Sequence, residues 1–270
     1  MIKLVALDLD GTIVDENLQI SEQTLEMLTY IREDKQVHVV LATGRMFPST
    51  VAFARRVGVT DPVISYQGGM IRDISGNLEN ILDHPILFHR PVDMEVSRSI
   101  IDFIHAEGVH ANLYVNDQLF TTHHNANSDF YRSISGVTPI EAKNLHIVLT
   151  GPPSKMMIID DRCDEIIATL QEKFPTEVSL CKSRATFCEI VHPTVSKWLA
   201  ISYLMEEWDI NADEVMAIGD HENDIPMIQG AGVGVAMGNA PENVRAKADY
   251  VTDTVDNNGA VKAIEKFVLC

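Results

Sequence analysis

Short apolar runs alternate along the first third of the chain with longer stretches in which apolar positions recur every three or four residues. Residues 3–9 read as a buried strand. Ser21 followed by Leu25, Leu28 and Ile31 predicts a helix opened by a serine cap, and residues 37–41 read as a second strand. A further helix is expected through residues 51–57 and a strand at 62–66. This is the rhythm of βαβ units around a parallel sheet. The stretch from Met70 to Leu82 reads as a hairpin turning at Ser75-Gly76-Asn77.

From about Pro85 the pattern changes. It gives a helix over 92–107, a hairpin turning at Asn116-Asp117, a polar helix-prone stretch, a strand at 155–159, a helix over 163–174, and paired strands at 177–181 and 186–191. The parallel rhythm returns after Pro193 with a helix over 195–207, a strand at 214–220, a helix over 223–229 and a short strand at 232–237. The expected fold class is therefore α/β, a domain with a parallel sheet split in sequence around an inserted α+β unit: 1–84 and 190–270 for the first, 85–189 for the second.

Ligands of open parallel sheets collect at the carboxyl ends of the strands, and these ends are polar here. Asp8 and Asp10 follow the first strand and Thr43, Gly44 and Arg45 the second. Asp220, Asn223 and Asp224 follow the strand near 214–220, and Lys197 stands near the returning helix. Each has an ordinary explanation alone: a solvated strand end for Asp8 and Asp10, a helix-entry turn for Thr43-Gly44, a solvated helix face for Lys197, another strand end for Asp220. Jointly those explanations must coincide four times.

Two carboxylates one residue apart at a strand end repel unless a cation lies between them. Oxygen-rich clusters of this kind suit Mg²⁺, which binds through one or two carboxylates plus a substrate phosphate. The cation would let a carboxylate approach phosphorus, with Lys197 and Thr43 holding the other oxygens. Asp8 could then attack while Asp10 moves the proton.

Composition narrows the partners. Twenty-one basic against 39 acidic residues give a formal charge of −18, which disfavours nucleic acid and anionic membrane surfaces. The longest uncharged stretch, 225–241, is broken by Gly, Gln, Asn and Pro, and the first strand begins without a basic-then-apolar leader, so a cytoplasmic protein is expected. Cys163, Cys181, Cys188 and Cys270 lack paired metal spacing and read as structural thiols, and His123-His124 as a turn or helix start. No oligomeric state follows from the sequence.

Asp8-Leu9-Asp10-Gly11-Thr12, Thr43 in "ATGR", Lys197, and Gly219-Asp220 followed by Asn223-Asp224 resemble, in order, the four motifs of the haloacid dehalogenase superfamily. The run from Gly219 to Thr252 and the insert of roughly a hundred residues resemble its Cof-type (class IIB) phosphatases. The resemblance implies a Rossmann-like three-layer core and an α/β cap of the C2B type over the site. It also implies Asp8 as nucleophile and metal ligand, Asp10 as acid and base with its carbonyl on the metal, and Asp220 as a further ligand. Thr43, Gly44, Lys197 and Asn223 would contact the phosphate, and Asp224 would serve the metal site or Lys197. Because Asp10 is present, dehalogenation is disfavoured.

Three positions depart from the pattern: Trp198 where Gly is common, Gln67 in "YQGG" where Asn-Gly is usual, and His221 at a variable position. Trp198 is expected to pack in the core, whereas Gln67 could weaken a turn contact near the substrate.

The expected function is a Mg²⁺-dependent phosphatase acting on a small phosphorylated metabolite, a sugar phosphate first, through an aspartyl-phosphate. A phosphomutase of the same superfamily remains an alternative, as does a non-catalytic regulator that binds a phosphorylated metabolite. Selectivity is expected from the insert, where His89, Tyr114, Asn116, His123, His124, Tyr131 and Arg184 are candidates.

Overall fold

The computed structural model describes residues 1–76 and 80–269. They form two compact units: Met1–Gly44, Thr50–Leu87 and Ser196–Cys270 in the first, Arg45–Ser49 and Phe88–Val195 in the second. The contacts thus divide the chain at 87/88 and 195/196 rather than at 84/85 and 189/190, and assign a five-residue segment after Gly44 to the second unit. In that segment Arg45 Nη1 donates to the Ile134 carbonyl at 2.8 Å and Ser49 Oγ to the Ser135 carbonyl at 2.8 Å. Arg45 and Ser49 thereby satisfy carbonyls that end helix Ala126–Ser135.

The first unit is built on a five-stranded sheet in the order 250–251, 233–236, 215–219, 4–7, 38–41, parallel throughout. Leu4, Val5, Ala6 and Leu7 are all fully buried, as a strand covered on both faces requires. Helix Glu22–Glu33 joins the strands at 4–7 and 38–41, and Ser21 Oγ accepts the Thr24 N–H at its start. The reading of 70–82 as a hairpin is corrected. Met70–Arg72 is the middle strand of a small three-stranded sheet that starts with Val63–Ser65, but Ile81–Asp83 is a 3₁₀ turn opened by an Asn80 cap, and Ile86–His89 supplies the next strand of that sheet. Asn77 of the expected turn lies outside the described residues.

The second unit carries a six-stranded sheet in the order 179–184, 187–191, 155–159, 110–115, 118–121, 140–141, antiparallel except for its last pair. The Asn116-Asp117 turn has both residues left-handed, φ 51° and 58°, as a two-residue hairpin demands. One sheet face packs Ala111, Leu113, Met156, Ile158 and Ile190 against helices 94–107 and 163–173 through Ile100, Ile104, Ile166 and Leu170. Cys163 and Cys188 are free thiols, and among the described residues no helix is long and apolar enough to cross a membrane.

Candidate active site

Strands 4–7 and 215–219 run side by side with Leu7 opposite Ile218, so Asp8 and Asp220 emerge at the same carboxyl edge. The Asp8 N–H donates to the Ile218 carbonyl at 3.0 Å. The chain then turns at Gly11, whose φ of +80° suits a residue without a Cβ. A side chain there would overlap the Asp220 carboxylate, so the bare Cα lets Asp220 close on the first loop. Gly11→Ala is expected to cost about 1–2 kcal/mol of stability from backbone strain alone. It should lower turnover further by displacing Asp220. Melting and turnover measured together check this, and a variant unchanged in both would remove Gly11 from the argument.

On the neighbouring strand, Gly219 gives the Asp224 side chain the same kind of room. Asp224 is fully buried. Its Oδ2 accepts the backbone N–H groups of Asp220 and His221, each at 2.9 Å, and its Oδ1 accepts from Lys197 Nζ at 2.5 Å. Lys197, 1 % exposed, begins helix Lys197–Glu207, where Ser196 Oγ caps the Leu199 N–H. Its ammonium also donates to Asp8 Oδ1 at 2.5 Å. Carboxylate oxygens of Asp8, Asp220 and Asp224 lie within 4.8 Å of one another. Asp10 lies two residues beyond Asp8 and is bridged to Val14.

Burial pushes the Asp8 carboxyl well above the ordinary carboxylate range; Lys197 opposes this, and the charges of Asp224, Asp220 and Asp10 add to it. Burial, and then Asp224, push Asp220 up to about 7, with Lys197 opposing. Burial works against the Lys197 ammonium too, but Asp224 and Asp8 hold its pKa above the ordinary lysine value. One ammonium therefore faces more carboxylate charge than it balances. The donors on offer are all oxygens, so the cluster fits a hard divalent cation of the Mg²⁺ kind.

Thr43 and Gly44 follow strand 38–41. Thr43 is buried, its N–H donates to the Ile64 carbonyl at 3.0 Å, and its own carbonyl accepts the Gln67 N–H at 3.1 Å. A side chain at Gly44 would overlap the Gln67 carboxamide, and Asn223 Nδ2 donates to Gln67 Oε1 at 2.8 Å. The structure thus brings Asp8, Asp220, Asp224 and Lys197 together and gathers Thr43, Gly44 and Asn223 around Gln67. Trp198 is half-buried against Gly230, where a side chain would overlap the indole, as a packing residue should be.

Two features escaped the sequence. Asn239 Nδ2 donates to the Gly11 carbonyl at 2.9 Å and to Asp220 Oδ2 at 3.2 Å, while its Oδ1 accepts the Val255 N–H at 3.0 Å. It ties the first loop to the third carboxylate, and its one signal was an Asn just past the strand at 233–236. In the second unit, Lys155 and Glu189 form a buried ion pair of 3.0 Å on the sheet face opposite the apolar cluster. Ser183 Oγ donates to Glu189 at 2.6 Å, and Lys155 Nζ lies 4.9 Å from the Tyr114 ring centroid. Tyr114 and Tyr131, both candidates, are buried beside this pair, their ring centroids 6.3 Å apart. His123 accepts from or donates to Asn125 at 3.0 Å and meets His110 edge-on.

The sequence profile of haloacid dehalogenase-like hydrolases matches residues 5–264. The 5-amino-6-(5-phospho-D-ribitylamino)uracil phosphatase of Bacillus subtilis is 29% identical over 273 residues, covering 99% of this chain and 96% of that protein. The phosphoglycolate phosphatase of Methanoculleus marisnigri is 29% identical over 272 residues, covering 99% and 97%. Among solved structures, a haloacid dehalogenase-like hydrolase from Bacteroides thetaiotaomicron superposes with a TM-score of 0.87 at 28% identity, covering 98% of this chain and 99% of that one. With the profile spanning both units, the chain belongs to the haloacid dehalogenase-like hydrolase family.

Proposed function

We propose that this chain is a Mg²⁺-dependent phosphatase that hydrolyses a small phosphorylated metabolite, a sugar phosphate being the first candidate, through an aspartyl-phosphate on Asp8. The observation that carries the reading is the buried Asp8–Lys197–Asp224 array at the carboxyl edge of a parallel sheet, with Asp220 beside it. Asp8, Asp220 and the Asp10 carbonyl would hold Mg²⁺, which when bound supplies charge neutralisation for the carboxylates and the phosphate. Both Asp224 oxygens are already engaged, so its part is to fix Lys197 and the 220–221 backbone.

Lys197, Thr43, the Gly44 N–H and Asn223 bind and orient the phosphate oxygens. An Asp8 oxygen forms the new bond to phosphorus as the bond to the leaving oxygen breaks, and Asp10 gives that oxygen its proton. Water then attacks phosphorus, Asp10 takes its proton, and Asp8 is released as carboxylate with inorganic phosphate as product. Relatives named for the phosphate esters of a ribitylaminouracil and of glycolate support a small phosphomonoester as substrate. The second unit is assigned the cap and, with it, selectivity. The free thiols support a reducing, cytoplasmic setting.

The test is phosphate release from a panel of sugar phosphates, nucleotides and an aryl phosphate, with and without Mg²⁺. Release confined to the Mg²⁺ arm is expected, and isomerised sugar phosphate without free phosphate would instead identify a mutase. Binding has its own readout. Mg²⁺ at about a hundred times its Kd should stabilise the protein by about 2.7 kcal/mol, and Asp220→Asn should melt higher without Mg²⁺ yet lose most of that response. An unchanged Mg²⁺ response in Asp220→Asn would take Asp220 out of the metal site.

A further inference from the structure

Asn239 belongs to none of the four motifs, yet it stands at the carboxyl edge they share. Within the first unit, strand 233–236 runs parallel beside strand 215–219 with Ala236 opposite Gly219. The residues just past the two strands therefore meet at one edge, Asp220 on one side and Met237 to Asn239 on the other. The Met237 N–H donates to the Gly219 carbonyl and the Gly238 N–H to the Asp253 carbonyl, each at 2.9 Å. These two bonds hold the backbone that carries Asn239.

Asn239 is exposed, but its carboxamide is fixed at both ends. The Val255 N–H donates to Oδ1 at 3.0 Å, which leaves the opposite end of the group as its donor end. From there Nδ2 donates to the Gly11 carbonyl at 2.9 Å and to Asp220 Oδ2 at 3.2 Å, so both amide hydrogens are committed to the site. Asp220 Oδ2 also lies against the bare Cα of Gly11, where an added Cβ would overlap it. Asp220 Oδ1 accepts no hydrogen bond among the described residues. The terminal torsion of an aspartate is soft and two-fold, so nothing within Asp220 decides how its two oxygens are presented. Asn239 and Gly11 decide it by taking one of them.

We propose that Asn239 is the positioning residue of the cation site: by holding Asp220 Oδ2 it presents Asp220 as a ligand of one oxygen and so sets a preference for a small octahedral cation, Mg²⁺, over Ca²⁺. The inference rests on the reading of this cluster as a divalent-cation site. Mg²⁺ demands near-ideal octahedral geometry, whereas Ca²⁺ accepts about six to eight oxygens in flexible arrangements and takes both oxygens of one carboxylate. A carboxylate with one oxygen tied down suits the first and denies the second its two-oxygen grip. Groups that orient a ligating carboxylate are commonly worth about 10–100-fold in metal affinity.

The experiment measures the Kd of Mg²⁺ and of Ca²⁺ by calorimetry in wild type, Asn239→Ala, Asn239→Leu and Asp220→Asn, with a metal-free melt of each. Because Asn239 is exposed, its variants should melt within about 5 °C of wild type. The Mg²⁺ Kd should rise at least about tenfold in both, while the Ca²⁺ Kd changes less than about threefold, since a released Asp220 can offer Ca²⁺ both oxygens. Leucine keeps the bulk of asparagine without its donors, so equal losses in the two variants assign the effect to the hydrogen bonds. Mg²⁺ bound by Asn239→Ala as by wild type, or both cations weakened alike as a general loosening of the loop would do, overturns the proposal; if Asp220→Asn still loses Mg²⁺ in that case, the metal reading stands without it. A wild type that binds neither cation overturns the metal reading itself.

Discussion

Asp8→Asn is expected to abolish phosphate release, by at least about a thousandfold in kcat, while leaving the fold intact or more stable. Removing the nucleophile of a covalent mechanism removes the step that divides the barrier, and single-nucleophile deletions elsewhere cost up to roughly a millionfold. Asparagine keeps the shape of the side chain at the end of strand 4–7 and keeps an oxygen for Lys197, so packing is undisturbed. What changes is charge. Asp8 is buried beside Asp224, Asp220 and Asp10, with one ammonium among them. Deleting one carboxylate from that group relieves like-charge repulsion in a poorly solvated place, so the metal-free variant should melt at or above the wild-type temperature. An inactive yet undiminished protein is the signature of a site that trades stability for chemistry. The measurement is phosphate release alongside a thermal melt without Mg²⁺. More than about a tenth of wild-type turnover in Asp8→Asn would exclude Asp8 as nucleophile.

What the sequence discloses of this site is what local patterns can carry. The strand at 155–159 is found at its expected ends, and the Asn116-Asp117 turn is encoded in the two residues that form it. The aspartates at 8 and 220 were legible because strand ends in a parallel sheet share one edge, so that knowing the strands places the carboxylates. The errors have the opposite character. Ile81–Asp83 carries a strand-like apolar pair, but its Asn80 cap wins locally, and the pairing with Met70–Arg72 passes to Ile86–His89. The helix expected from Asn223 begins instead as a 3₁₀ turn at Glu222, because Asp224 turns inward to bind the Asp220 and His221 N–H groups and Lys197.

Gln67 was visible as a departure from the family pattern. Its contacts were not, since they run to Gly44 and Asn223, one 23 and the other 156 residues away. Asn239 and the Lys155–Glu189 pair were invisible for the same reason. A single buried polar residue has no periodicity, and its partner is chosen by the tertiary fold.

Lys197→Met should be the most destabilising single change at the site, and it separates what the ammonium does for the fold from what it does for the phosphate. Its Nζ lies 2.5 Å from both Asp8 and Asp224, and Asp224 is fully buried. Methionine matches the stem but leaves two buried carboxylates facing each other. Removing one partner of a buried ion pair costs about 3–5 kcal/mol, which in a chain of this size lowers the melting temperature by roughly 10 °C. Asp224→Asn in the same chain removes one of the stranded charges and keeps acceptor capacity for the Asp220 and His221 N–H groups, so the double variant should recover much of the lost stability.

Turnover should not recover with it, because the cation that would face the phosphate oxygens is still missing. Melting curves and phosphate release from the single and double variants decide the matter. Stability restored without activity assigns Lys197 a direct part in holding the transferring group. Activity restored together with stability would reduce Lys197 to a counter-ion for its two aspartates, and the phosphate would then have to be held by Thr43, the Gly44 N–H and the amide of Asn223.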